Sequence, residues 1–210
     1  MQTLDQLGIK HQTDKSTAHH GYLPIYEQYL SKWRDKPITL IEAGIGGYEY
    51  ADRGGQSARM WREYFPHATI VTFDIHRKMP IHGVDVLQGS QDDPLFIASL
   101  PECELFIDDA SHINPLTIET FRLAWPKVKL GGLYIVEDVH TSYWPDHGYQ
   151  GCSDVFTLNA HTTMNEFLFM AHFLNREHIK WDRDPVPFDK IPDNIAFIHF
   201  YPKLILIGKK

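Results

Sequence analysis

Two short apolar runs in this chain end abruptly in acids: Phe106-Ile107-Asp108-Asp109-Ala110-Ser111-His112 and Tyr134-Ile135-Val136-Glu137-Asp138. Runs of this kind form buried strands. A buried strand tolerates no bare charge, so paired acids just past its end mark the open edge of a sheet. In open α/β folds that edge is where ligands bind. Two neighbouring strands there would gather Asp109, Glu137 and Asp138 around one point as hard oxygen ligands. His112, about one helical turn beyond Asp109, would supply a base. Such a set suits a hard divalent cation and the removal of a proton. Any one of these acids is equally well explained as a cap or a loop charge; three with a histidine, at two adjacent strand ends, are not. Asp108 either faces a cofactor or bonds its own loop.

The elements that must position these residues follow from periodicity. Tyr22, Ile25, Tyr26, Tyr29, Leu30 and Trp33 fall at helical spacing with Pro24 in the first turn, which predicts a packing helix. Residues 1–36 read as an N-terminal helical lid whose polar start carries Thr13-Asp14-Lys15 and His19-His20. Ile38 to Ala43 is a strand running into Gly44-Ile45-Gly46-Gly47. A strand leading into Glu-x-Gly-x-Gly, with Glu42 as the acid, is the first turn of a nucleotide-binding α/β unit, where glycine lets the backbone approach a ligand. The next helix starts late, at Gly54-Gly55-Gln56-Ser57, so the ligand loop is extended. The strand Thr69 to Asp74 ends in an acid where an adenosine ribose is commonly held, at the expected spacing once the extended loop is discounted. Helix capping is the alternative role for Asp74. Val84 to Leu87 is a third strand. Asp92 or Asp93 caps a helix over Pro94 to Leu100, and Ser90 to Asp92 would lie beside an adenine.

Beyond the first acidic cluster, a helix over Pro115 to Trp125, a turn at Gly131-Gly132 and a strand over Leu133 to Val136 complete five βα repeats. This order predicts a parallel sheet with right-handed crossovers. Residues 139–153 form a long aromatic loop on the acceptor side. Its Tyr143 and Trp144 either wall an acceptor pocket, where aromatic faces suit a sugar or polyphenol, or pack within the loop. A helix from about Ala160 to Glu177, a Pro- and Asp-rich loop over Asp182 to Asp193, and two runs flanking Tyr201-Pro202-Lys203 as a hairpin finish the chain.

Composition sets the limits. The 210 residues, 43% apolar and 22% charged, suit one domain with a substantial core. A net charge of −7 argues against nucleic-acid binding, which needs basic surface. No apolar run approaches a membrane span and the start is not a signal peptide. Cys103 and Cys152 lack metal or disulfide-framework spacing, so the expected setting is cytoplasmic. The thirteen histidines contain no HExxH pattern. Whether the chain forms a homo-oligomer is left open.

The segments HQTDK, IEAGIGGY, GGQSARMW, FDIHRK, FIDDASHIN and GGLYIVEDVHTSYWP resemble the catalytic domain of metal-dependent macrolide sugar O-methyltransferases of the mycinamicin and tylosin type. The resemblance runs to about Gly151 and thins afterwards. It implies a Rossmann-like class I S-adenosylmethionine-dependent methyltransferase: a mostly parallel seven-stranded sheet with a C-terminal antiparallel hairpin, in a single domain over residues 1–210. It also implies Mg²⁺ held by Asp109, Glu137 and Asp138, His112 as the general base, and a sugar or glycoside acceptor. The cofactor candidates are Glu42, Gly44, Gly46, Ser57, Asp74, Asp92 and Asp108. The macrolide enzymes carry an additional N-terminal domain that these 210 residues do not include, so their assembly and acceptor recognition are not transferred. Two other readings share the adenosine features: an NAD-dependent oxidoreductase, although no Tyr-x-x-x-Lys occurs, and a non-catalytic adenosine-cofactor or metal-binding module.

Overall fold

Alternation along Thr39–Ala43 (β1) sends Leu40 to one face of a sheet and Ile41 to the other, each into its own core. The computed structural model describes residues 1–153, 161–178 and 191–210. In it β1 is joined by Thr69–Asp74 (β2), Asp85–Gln88 (β3), Cys103–Asp108 (β4), Val128–Val136 (β5), Ile195–Tyr201 (β6) and Leu204–Lys209 (β7). The order across the sheet is β3-β2-β1-β4-β5-β7-β6. The first five strands run parallel, while β7 is antiparallel to both β5 and β6.

Among the described residues six α-helices cover the sheet. Leu4–His11 (α1), Leu23–Leu30 (α2) and Gln56–Tyr64 (α3) pack Leu4, Leu7, Tyr26, Leu30 and Trp61 against Leu40, Leu105, Ile107 and Ile135. Pro94–Ser99 (α4), Asn114–Ala124 (α5) and Thr163–Phe173 (α6) bring Ile97, Phe121, Phe167 and Met170 against Phe73, Phe106 and Val136 on the other face. Helical spacing does not single out α1, whose start is fixed by a capping box between Thr3 and Gln6. The two helices of the first 36 residues thus pack into the core beside α3. Asp93, not Asp92, caps α4, accepting the N–H groups of Leu95 at 2.9 Å and Phe96 at 3.2 Å.

Two local features differ from the sequence reading. The fifth strand begins at Val128 and runs through Gly131 and Gly132. There the pairing with β4 shifts register between Cys103 and Leu105, and Gly131 takes a φ of 76°. The glycine pair is therefore an irregularity inside a strand rather than a turn before it. The final helix is shorter, Thr163–Phe173, with Thr162 as its cap. Much of the loop expected over Asp182 to Asp193 lies outside the described residues. Among the described residues no helix is long and apolar enough to cross a membrane.

Candidate active site at the carboxyl edge of the sheet

The register levels three strand ends. Ala43 pairs with Asp108, and Asp108 with Val136, so Gly44, Asp109 and Glu137 leave the sheet side by side. Asp109 N–H donates to the Ala43 carbonyl and Glu137 N–H to the Asp108 carbonyl, both at 3.0 Å. Gly44 turns away at a φ of 94°, and a Cβ there would collide with the Asp109 carbonyl, which is why this position needs glycine.

Asp109, His112 and Asp138 converge, with one ligand atom from each lying within 4.8 Å of the others. His112 Nε2 is 3.4 Å from Asp138 Oδ2 and 3.8 Å from Asp109 Oδ1. The Asp109–His112 spacing arises in the tight β4–α5 loop rather than on a helix, with His112 at a φ of 56°. Thr141, in the 3₁₀ turn Val139–Tyr143, has its one hydroxyl proton within reach of two acceptors, the His112 carbonyl at 2.9 Å and the Asp138 carbonyl at 3.1 Å. One side chain thus ties both arms of the cluster together. Around Asp138 Oδ1 stand the Tyr22 hydroxyl at 2.5 Å, His140 Nδ1 at 3.7 Å and His20 Nδ1 at 4.0 Å. Burial pushes Asp138 upward, but His112, Tyr22 and the two further histidines outweigh it and hold the carboxyl below its usual range.

Glu137 points inward instead. Its Oε1 accepts the Tyr26 hydroxyl at 2.5 Å and its Oε2 the Lys15 ammonium at 2.7 Å. Lys15 also donates to Asp109 Oδ2 and lies 3.6 Å from Glu42 Oε1. Burial pulls Lys15 down, but the charges of Asp109, Glu137 and Glu42 more than reverse this and hold its pKa well above the usual value. Burial, followed by the charge of Asp109, raises Glu137; burial also raises Asp109 and Glu42, against Lys15. Asp108 is buried, accepts the Tyr134 hydroxyl at 3.2 Å, and is pushed by burial up to about 7.

Sequence reasoning missed Lys15, Tyr22, Tyr26 and Thr141 as members of this site. For the tyrosines a signal existed. A buried helix face can be filled by phenylalanine, so a tyrosine at both 22 and 26 announces hydroxyls in search of partners. Asn114 was also overlooked. Fully buried, it donates to the Tyr149 carbonyl at 2.8 Å and accepts from Ser142 Oγ at 3.0 Å and Thr163 N–H at 2.7 Å, fastening the 139–153 loop. In that loop Tyr143 and Trp144 are exposed, and Trp144 meets His140 and Tyr149 edge-on.

The cofactor candidates fall into two groups. Glu42 is buried and held by Ser57 Oγ at 2.8 Å and Trp61 Nε1 at 3.1 Å. Gly46, Ser57 and Asp109, together with Gln12, Thr13 and Asp14, line a cavity of about 220 Å³. Asp74 accepts Ile45 N–H at 3.1 Å through Oδ2 and His76 N–H at 2.9 Å through Oδ1, pinning the glycine loop to the end of β2. Asp92 is exposed and accepts the Ser90 hydroxyl.

The donor set suits a divalent cation. Asp109 Oδ1 and Asp138 Oδ2 face each other across the His112 edge, while the inward oxygens of Asp109 and Glu137 already hold an ammonium. Hard carboxylate oxygens with open positions toward solvent are what Mg²⁺ requires.

No protein-family model matches the chain. Among curated proteins, it is 39% identical over 154 residues to the 8-demethyl-8-(2-methoxy-alpha-L-rhamnosyl)-tetracenomycin-C 3'-O-methyltransferase of Streptomyces olivaceus, covering 69% of this chain and 39% of that protein. It is 32% identical to the 8-demethyl-8-alpha-L-rhamnosyl tetracenomycin-C 2'-O-methyltransferase of the same organism, covering 97% of this chain and 54% of the relative. Among solved structures, MycE methyltransferase from the mycinamycin pathway, in complex with Mg, S-adenosylhomocysteine (SAH) and mycinamycin VI, superposes with a TM-score of 0.87 at 28% identity, covering 99% of this chain and 53% of MycE. The chain spans about half the length of these relatives, or less. The chain thus has the fold of the class I S-adenosylmethionine-dependent methyltransferases and is similar in sequence to sugar O-methyltransferases of antibiotic pathways.

Proposed function

We propose that the protein is an Mg²⁺-dependent O-methyltransferase that moves a methyl group from S-adenosylmethionine to a hydroxyl of a sugar or glycosylated natural product. The observation that carries this reading is the convergence of Asp109, His112 and Asp138 beside a glycine loop pinned by Asp74, in a chain similar along 99% of its length to an enzyme bound to Mg, SAH and a macrolide.

Asp109 and Asp138, with Glu137 as the third acid of the set, would hold the cation, which when bound supplies Lewis acidity that lowers the pKa of an acceptor hydroxyl. His112, steered by Asp138, takes the proton from that hydroxyl at Nε2, an effect of roughly 10²–10⁴ in rate. The glycine loop, Ser57 and Glu42 border the space for the methionine end of the cofactor, and Asp74 would receive the ribose hydroxyls. Asp92 and Asp108 belong to the same cofactor side, with Asp92 toward the adenine. Tyr143 and Trp144 offer aromatic faces to the acceptor. In-line transfer then needs alignment, for which proximity supplies about 7–11 kcal/mol. A cytoplasmic setting belongs to the same reading, since two cysteines without framework spacing need no oxidising compartment.

The test is mass-spectrometric detection of a mass gain of one methylene in a panel of deoxysugar glycosides incubated with the protein, S-adenosylmethionine and Mg²⁺. Product that disappears with EDTA and returns with added Mg²⁺ supports the assignment. SAH affinity without any methylated product across glycosides and phenols counts against it.

A further inference from the structure

Lys78 carries a buried ammonium with no carboxylate to balance it. The residue is 8% exposed and, among the described residues, forms no ion pair. Its Nζ donates instead to two backbone carbonyls, that of Tyr48 and that of Tyr50, the latter at 3.2 Å. An ammonium has three donors and loses its hydration on burial, so two neutral carbonyls compensate it poorly. The carbonyls belong to the extended loop from Gly47 to Gly54, between the glycine turn and α3. The base of this loop closes on the glycine turn: Gly55 N–H donates to the Ile45 carbonyl at 2.7 Å, and a Cβ at Gly54 would collide with the carbonyls of Ile45 and Gly46. Its outer part is tied to the segment just past Asp74, by Lys78 and by Met79 N–H, which donates to the Ala51 carbonyl at 2.9 Å. Ile45, Gly46 and Gly47 at one end of the loop, and Gln56 and Ser57 past the other, line the cavity of about 220 Å³ that also contains Asp109 in its wall. A change in the path of the loop therefore moves two parts of that wall.

We propose that Lys78 is a positioning residue for cofactor binding: its ammonium gathers the Tyr48 and Tyr50 carbonyls and so keeps Gly46-Gly47 and Gln56-Ser57 at the spacing the cofactor needs. Asp74 pins the start of the same loop through Ile45 N–H, and Lys78, four residues further on, pins its outer part. The end of β2 thus sets the glycine turn from two sides. The inference rests on the proposed reading of this cavity as the cofactor side of a methyltransferase, and it adds a residue that is not itself part of the cavity wall.

The experiment compares the intact protein with Lys78→Met and Lys78→Arg by SAH calorimetry, hydrogen–deuterium exchange of residues 47–54 and ligand-free urea melts. Lys78→Met keeps an unbranched stem and removes the charge. The loop should then exchange at least about tenfold faster, and SAH should bind at least about tenfold more weakly, since affinity falls with the fraction of molecules in the competent arrangement. The unfolding midpoint should hold, because burying a methionine in place of an ammonium without a counter-ion offsets the two lost hydrogen bonds. Lys78→Arg, which keeps donors for both carbonyls, should bind SAH several-fold more tightly than Lys78→Met. Unchanged SAH affinity in Lys78→Met overturns the proposal. So does a Lys78→Met protein that fails to fold, or that unfolds early and exchanges fast throughout the sheet, either of which would make Lys78 an ordinary structural anchor. A parent protein that does not bind SAH overturns the cofactor reading beneath the proposal, a result that neither variant can produce.

Discussion

Tyr26 reaches from α2 to donate its hydroxyl to Glu137 Oε1 at 2.5 Å, a contact between residues 111 positions apart in a fully buried setting. A carboxylate oxygen deprived of that donor has no access to water. Tyr26→Phe is therefore expected to destabilise the protein by about 1–3 kcal/mol, the usual cost of stranding a buried polar group. Paired urea melts of the two proteins measure it; equal midpoints would show that Glu137 finds another donor.

Gly44 allows the first turn to pass directly over the Asp109 carbonyl. Gly44→Ala imposes both a left-handed backbone on a residue with a side chain and a collision with that carbonyl. The backbone component alone costs about 1–2 kcal/mol. SAH affinity, read by calorimetry, should fall at least tenfold, together with the melting temperature. An unchanged affinity would mean that the loop does not serve the cofactor.

His112 is assigned the proton. His112→Ala should lower methyl transfer by about 10²–10⁴-fold while leaving SAH affinity within a few-fold of the parent, because the ring lies on the acceptor side of Asp109. Single-turnover rates on the best glycoside of the panel distinguish the two quantities. Full activity would remove His112 from the mechanism.

Thr141 tethers the backbones of His112 and Asp138 without itself belonging to the cluster. Thr141→Val keeps the shape and removes the donor. Small misplacements of reacting groups cost on the order of 10²-fold in rate, so the turnover number should fall by ~10 to 10²-fold with the cofactor KM nearly unchanged. A fall confined to thermal stability would make Thr141 merely structural.

The sheet was legible because buried strands announce themselves: Leu40-Ile41, Ile70-Val71 and Phe106-Ile107 are short apolar runs, and each parallel run stops at a glycine or an acid. The proximity of Asp109, His112 and Asp138 was legible for the same reason, since β4 and β5, consecutive in sequence, are also neighbours in the sheet. The inward turn of Glu137 was not, because its partners Tyr26 and Lys15 lie more than a hundred residues away and the helical stripe containing Tyr26 reads as packing. The glycine pair at Gly131-Gly132 misled because a turn and a strand irregularity demand the same residues.

Among the described strands β7 comes last in sequence but not in space. Leu204–Lys209 lies between β5 and β6 with all six residues buried, and Ile205 pairs with Val136 immediately before Glu137. During synthesis the flank of β5 therefore stays open, its hydrogen-bonding groups unmatched, until Leu204–Lys209 leaves the ribosome. The acids after β4 and β5 are translated before β7, the strand that walls them in. A nascent chain stalled before position 204 would present β5 as a sticky edge, making this hairpin a checkpoint for aggregation as well as for folding.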